Sequence, residues 1–352
     1  MEESENYTYY EDNLTDSKDS CQNEEAAMQN FHAVFLPVFY SLIFLLGVAG
    51  NGLMITVLLR RRRFLRITEI YLLHLALADL MLIFTFPFDA ADAVTGWMFG
   101  KLMCKLTGLL KNLNLFSGSF LLACIGFDRY LAIVHAIPSI QIRQPKTVHL
   151  ISILLWSVCL VFSLPNVLFL TVTRGDINSS HLFCSYGQYG IHANNWVHTN
   201  SILNHLCFFF SFAVMAYCYT AIVVTLYKSQ KSQAKQGAIR LALLITTVFF
   251  FCWLPHNIAL LMNTLVDIRF IINDSCNYHA SLQSALEVTK CLGIAHCCLN
   301  PFLYAFVGVR FRNELIQLLC DLGCSKVCLP LISVRNNNQS SISDGATTTN
   351  TF

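Results

Sequence analysis

Apolar positions in this chain neither alternate nor keep to one helical stripe. They run together in blocks of about 20 residues or more, the length a helix needs to cross the hydrocarbon core of a membrane. Seven such blocks can be marked, over residues 34–59, 70–91, 102–134, 148–172, 197–226, 239–265 and 282–307. A transmembrane β-barrel would alternate over about ten residues per strand, and no stretch does so. The pattern predicts an all-α membrane protein, a seven-transmembrane helix bundle over 32–308. A polar arm (1–31) precedes it, and a short amphipathic cytoplasmic helix (309–320) and a Ser/Thr-rich tail (321–352) follow.

Composition agrees with a lipid solvent: 55% of residues are apolar, 12% are charged, and the mean hydropathy is +0.52. A soluble domain is about a quarter charged. The net charge of +2, with no dominant basic face, argues against nucleic acid as a partner. Basic residues are nonetheless uneven, with 16 of 23 on one side of the spans. Arg60, Arg61, Arg62, Arg63 and Arg66 follow span one. Arg129, Arg143, Lys146, Lys228, Lys231, Lys235 and Arg240 follow spans three and five, and Arg310, Arg312, Lys326 and Arg335 lie in the tail. The positive-inside tendency then places the N-terminus outside a plasma membrane and the C-terminus in the cytoplasm. Residues 1–30 hold nine carboxylates against Lys18, the reverse of a signal peptide's basic start, so the first span is expected to act as its own insertion signal. Glycosylation sequons at Asn6, Asn13, Asn178 and Asn273 fall on the outer side.

Most of the fifteen cysteines lie in apolar spans, where a thiol packs as a small hydrophobe; Cys297 and Cys298 are read this way. Cys21, Cys104, Cys184 and Cys276 fall on the oxidising side and allow three connectivities. Joining Cys104 to Cys184 would pin the loop between spans four and five over the bundle mouth. Cys21 and Cys276 would then tie the arm to the last outer loop. Cys320, Cys324 and Cys328, next to the membrane on the inner side, are candidates for palmitoylation.

An ionisable residue inside a span is expensive and marks a candidate site. Asp79 sits mid-span, with Asn51, Asn114 and Asn300 as expected neighbours; together they could hold a sodium ion or a water cluster. No other cofactor or metal is expected. Asp89, Asp92, Lys111, Glu287 and Lys290 cluster at the outer ends of their spans and suggest a ligand site. A catalytic reading finds no nucleophile, base and oxyanion set, and His74, His205 and His296 read as scattered. A channel or transporter would want repeated halves or a continuous polar path, and neither is visible.

Short motifs then fall in a definite order. Gly50-Asn51 lies in span one, Leu-Ala-Asp79-Leu in span two and Trp156 in span four. Cys252-Trp253-Leu254-Pro255 lies in span six and Asn300-Pro301-Phe302-Leu303-Tyr304 in span seven. Asp128-Arg129-Tyr130-Leu131-Ala132-Ile133-Val134-His135-Ala136 closes span three, Thr85-Phe86-Pro87 sits in span two, and Trp97 follows it. From about residue 30 to 325 the ordered set resembles the chemokine receptors of the rhodopsin-like G-protein-coupled family, most of all the CXC class. Three positions depart from that pattern: Ser211 stands where span five usually carries proline, Lys290 where many members have glutamate, and Asp89 where many have tryptophan.

The resemblance implies a cell-surface receptor that binds a CXC chemokine and signals through a heterotrimeric G protein of the inhibitory class to direct chemotaxis. Tyr7, Tyr9 and Tyr10, flanked by acids, would be sulfated and capture a basic ligand, whose flexible end would reach Asp89, Asp92, Lys111, Glu287 and Lys290. Trp253 would shift, Pro255 would act as a pivot, Tyr219 and Tyr304 would close inward, and Arg129, paired at rest with Asp128, would receive the G protein. Ser340, Ser341, Ser343, Thr347, Thr348, Thr349 and Thr351 offer kinase sites for arrestin recruitment. A scavenging receptor that internalises ligand without G-protein coupling is the rival, and its usual mark, an altered Asp-Arg-Tyr, is missing here.

Overall fold

The computed structural model describes residues 31–60, 65–135, 144–174, 182–186, 190–228, 233–272, 276–307 and 309–321. After a π-helical turn, Phe31–Phe35, come α1 (Leu36–Arg60), α2 (Ile67–Ile83), α3 (Phe86–Thr95), α4 (Gly100–Ile133) and α5 (Pro145–Phe169). A hairpin of β1 (Leu170–Arg174) and β2 (Leu182–Tyr186) leads to α6 (Gly190–Lys228), α7 (Gln233–Asp267), α8 (Cys276–Val307) and α9 (Val309–Asp321). Six stretches are long and apolar enough to cross a membrane by length and composition, the α2–α3 pair counting as one. The seventh, α8, has 32 residues, but Lys290, His296 and Asn300 dilute its apolar run. The fold is the expected seven-helix bundle, turned inside out as lipid requires. Leu154, Leu160, Val161, Leu206 and Phe251 face outward, while Asn51, Asp79, Asn114 and Ser117 are buried.

Three details differ from the expected spans. Span four ends at Phe169, and Val172 belongs to β1, where it pairs in register with Cys184. β-Branched residues in Leu-Thr-Val-Thr favour the extended strand once the chain leaves the apolar run. Span two is two helices, because Pro87 has no N–H to offer Ile83 and its ring crowds that carbonyl. Thr85 covers the break by donating from Oγ1 to Leu82 O at 2.8 Å. In span five, α6 runs unbroken for 39 residues through Ser211, so no bulge forms where proline is missing. Ser211 is fully buried, and its hydroxyl has no hydrogen-bond partner among the described residues.

Pro301 has the opposite outcome. It also lacks the N–H that Cys297 O would accept one turn back. Asn51 of α1 supplies the missing donor, Nδ2 to Cys297 O at 2.9 Å. The helices meet closely enough only because residue 50 is glycine: a Cβ there would stand 2.9 Å from Pro301 Cγ, on a rigid ring. At Gly52, two residues on, the same atom would meet nothing within 4 Å. Gly50→Ala should therefore destabilise the purified receptor by about 1–3 kcal/mol through overpacking. Gly52→Ala should instead stabilise it by about 0.5–1 kcal/mol, the usual gain over glycine inside a helix. Thermal unfolding in detergent reads both, and equal shifts would contradict the packing account.

Candidate functional site

At the Cys104 end of the bundle the helices open into a cavity of about 360 Å³. Its wall brings together Asp89 and Asp92 of α3, Lys111 of α4, and Glu287 and Lys290 of α8, all five ionisable residues singled out in the sequence. Lys111 Nζ meets Asp89 Oδ1 at 2.6 Å, and Thr85 Oγ1 donates to Asp89 Oδ2 at 3.2 Å. Lys290 lies within electrostatic reach of Tyr40, Glu287 and Asp89. Three carboxylates thus face two ammonium groups, a mouth of mixed charge with a slight acidic surplus. Tyr40 and Tyr186 also line it and have no signal in the sequence beyond being aromatic.

The hairpin roofs this cavity. A disulfide joins Cys104 to Cys184, with a Cα–Cα distance of 5.6 Å. Trp97 is buried beneath it, donating its backbone N–H to Leu182 O at 2.7 Å and its indole N–H to Gly100 O at 2.9 Å. Burial pushes the Tyr186 phenol up to about 12, so this part of the roof stays neutral at physiological pH. Tyr7, Tyr9, Tyr10, Cys21 with its pairing to Cys276, and the sequons at Asn6, Asn13, Asn178 and Asn273 lie outside the described residues.

Halfway down, Asp79 is fully buried. Asn114 Nδ2 donates to its Oδ1 at 3.2 Å and Asn300 Nδ2 to its Oδ2 at 2.7 Å. Asn51, expected beside them, is instead committed to Cys297 O and Gly47 O, because Pro301 leaves the first of these without its helical donor. His296 takes the vacant place: its Nε2 stands 3.5 Å from Asp79 Oδ1. The intramembrane histidines stay apart from one another, as read from the sequence, and each has its own partner. Trp156 donates to His74 at 3.3 Å, and His205 meets Thr264 at 3.3 Å. Cys297, read as packing, places its sulfur in the Asp79 and His296 cluster. A sodium ion would want oxygen donors. Both amides turn their N–H groups to Asp79, whose carboxylate supplies the oxygen donors, and His296 and Cys297 add nitrogen and sulfur beside it.

Above this centre, Trp253 of α7 donates its indole N–H to His296 Nδ1 at 3.1 Å. Gly293 gives the ring room; a Cβ there would lie 2.8 Å from the indole. Pro255 lies inside the continuous helix beside it, where it offers no N–H to the carbonyl one turn back, and Asn257 Nδ2 donates to Trp253 O at 3.0 Å.

At the other end, Arg129 is held shut. Its Nη2 pairs with Asp128 Oδ2 at 2.9 Å and contacts Thr68 Oγ1 of α2, which itself donates to Asp128 at 3.3 Å. Thr68, Leu72, Leu122, Ile125, Leu241, Ala242 and Ile245 line a gap of about 10 Å³ next to this contact, too small for more than about one water. Tyr219 is tied to Thr246 of α7 at 3.1 Å, Tyr130 turns to His135 at 3.0 Å, and Tyr304 packs its ring near Phe311 of α9. Thr68 and Thr246 are contacts that hydropathy could not reveal. Cys320 lies in the last turn of α9; Cys324 and Cys328 lie outside the described residues.

A buried acid, a tryptophan two residues before an in-helix proline, and a paired arginine thus lie at successive levels of the bundle. The profile of the "7 transmembrane receptor (rhodopsin family)" matches residues 50–304. The chain is 40% identical over 333 residues to the C-X-C chemokine receptor type 5 of Homo sapiens, covering 94% of this chain and 89% of that one. It is 42% identical over 298 residues to the type 3 receptor of Bos taurus (84% and 79% covered). It is 40% identical over 326 residues to the type 3 receptor of Homo sapiens (91% and 86% covered). The chain belongs to the rhodopsin family of seven-transmembrane receptors, in its C-X-C chemokine receptor branch, a family of receptors and not of enzymes. The motifs lean towards type 3 with type 5 next; the identities to the two types are nearly equal.

The mouth geometry yields a direct test. Asp89 is one-tenth exposed and Lys111 about one-third, so the pair is only partly screened. A double-mutant cycle of Asp89→Asn and Lys111→Met, read by thermal unfolding, should show a coupling of about 1–3 kcal/mol. Additive effects would mean that the pair does not hold α3 to α4.

Proposed function

We propose that the protein is a plasma-membrane receptor, N-terminus outside, that binds a CXC chemokine and activates an inhibitory-class G protein to direct chemotaxis. The arm of nine carboxylates against one lysine suits capture of a basic protein by long-range attraction. Sulfation of Tyr7, Tyr9 and Tyr10 would add strong acids to it. The ligand's flexible terminus would then enter the mouth, its ammonium or basic groups meeting Asp92 and Glu287 and its acidic groups Lys290. Binding must favour one conformation to signal. In this reading, pressure on α8 at Glu287 and Lys290 reaches His296 and Trp253, Pro255 serves as the pivot of α7, and Tyr219 leaves Thr246 to turn inward with Tyr304. The inner end opens, and Arg129 exchanges Asp128 and Thr68 for the G protein.

The observation that carries this reading is the intact Asp128-Arg129-Tyr130, with Arg129 paired to Asp128 and in contact with Thr68 of α2. A latch of this kind has no use in a scavenger that never couples, which remains the second reading. Receptor kinases acting on the tail serines and threonines, arrestin, glycosylation at the outer asparagines, and lipid contact through α9 complete the proposal.

A panel of CXC chemokines, read by suppression of cyclic AMP, tests it. One ligand should suppress cyclic AMP in cells with the native receptor, and Arg129→Ala should abolish this while surface binding of the same ligand persists. Binding and internalisation with no G-protein signal from the native receptor would favour the scavenger. Unchanged suppression in Arg129→Ala would remove the arginine from the mechanism.

A further inference from the structure

We propose that Asp79, His296 and Cys297 form a binding site for a divalent transition-metal ion of the zinc type, buried in the bundle and separate from the ligand mouth. One ligand atom from each residue lies within 4.8 Å of the other two, and all three residues are buried. Zinc bonds of about 2.0–2.1 Å to oxygen and nitrogen and about 2.3 Å to sulfur, at tetrahedral angles, set neighbouring donors about 3.3–3.6 Å apart. His296 Nε2 stands 3.5 Å from Asp79 Oδ1 and 3.8 Å from Cys297 Sγ. Both separations lie within a few tenths of an ångström of a tetrahedral edge, and the third, from the Asp79 oxygen to the Cys297 sulfur, is within 4.8 Å.

The surroundings are built to hold the ligands. His296 Nδ1 lies 2.6 Å from Gly293 O. A proton donated there leaves Nε2, beside Asp79, unprotonated and able to take a metal, the support that metal-binding histidines characteristically have. The other tautomer accepts from Trp253 at Nδ1, at 3.1 Å, and aims its N–H at Asp79. Metal binding selects the first tautomer, so it loosens the tryptophan from α8. Asp79 is steadied by Asn300 on its second oxygen, and Asn51, bonded to Cys297 O, keeps a fully buried Oδ1 with no partner among the described residues. A water completes the fourth position.

Charge and softness choose the ion. The Asp79 carboxylate and a Cys297 thiolate together neutralise a divalent cation, and the thiol proton leaves to solvent on binding. Thiolate and imidazole suit zinc, whereas a hard cation prefers oxygen alone. The proposal does not rest on the chemokine reading, and its test needs no chemokine.

The full-length receptor, purified in detergent and stripped with a chelator, is titrated with zinc chloride at constant sodium chloride, with calcium chloride as the hard-cation arm. Zinc should raise the thermal midpoint by about 2–6 °C at saturation, since a ligand of the native state stabilises it by mass action. Calcium should not. Cys297→Ser should weaken the zinc response at least tenfold. X-ray absorption on the zinc-loaded native receptor requires no variant to fold and should show one sulfur with two or three nitrogen or oxygen ligands. No thermal shift, a response unchanged in Cys297→Ser, or a shell with no sulfur or several would each overturn the site. The last two outcomes would move the zinc to surface histidines or to the tail cysteines.

Discussion

A carboxylate with no exposed surface, in the middle of an apolar bundle, is the constraint to which the other contacts answer. Asp79 cannot be left unpartnered: removing one side of a buried charged contact typically costs about 3–5 kcal/mol. It draws its donors from two other helices, Asn114 on α4 and both Asn300 and His296 on α8. Helices α2, α4 and α8 are therefore fixed in relative height. The next residue along α8, Pro301, breaks that helix's own ladder and recruits Asn51 of α1. Through His296 the same centre reaches Trp253 on α7. Five helices are thus indexed to one acid.

This arrangement links the two ends of the molecule. Lys290 at the mouth and His296 at the centre are six residues apart on α8, about 9 Å along a helix. A ligand that displaces the mouth end of α8 cannot do so without disturbing the donors of Asp79. At the far end, Arg129 pairs with Asp128 and contacts Thr68, which also lines a small, mostly apolar gap. The closed pairing of Arg129 and the bond from Tyr219 to Thr246 describe a resting receptor.

Much of this was legible in the sequence, for identifiable reasons. Seven apolar blocks announce seven helices, because lipid tolerates few other solutions. Ionisable residues inside those blocks stand out against their background, so Asp79 and the five groups of the mouth could be named in advance. What stayed hidden depends on which face a residue presents. His296 and Cys297 look like a scattered histidine and a packing thiol until α8 is rotated against α2. The expected bond from Asn51 to Asp79 was plausible by position, and it lost to the orphaned Cys297 carbonyl, a backbone demand that no side-chain pattern displays. Thr68 and Thr246 carry no signal at all, since threonine is ordinary in such helices. Ser211 tells the converse story: without proline α6 is continuous, and a buried hydroxyl has no partner among the described residues.

The claim that Asp79 couples the mouth to the arginine latch can be tested in one comparison. Asp79→Asn keeps the shape and removes the charge that organises α4 and α8. Chemokine binding and chemokine-stimulated nucleotide exchange on an inhibitory-class G protein are measured on the same membranes. Binding should be kept within about threefold, a change worth less than about 1 kcal/mol, while exchange falls at least tenfold. Exchange at the native level with native binding would show that the two ends communicate without the buried acid.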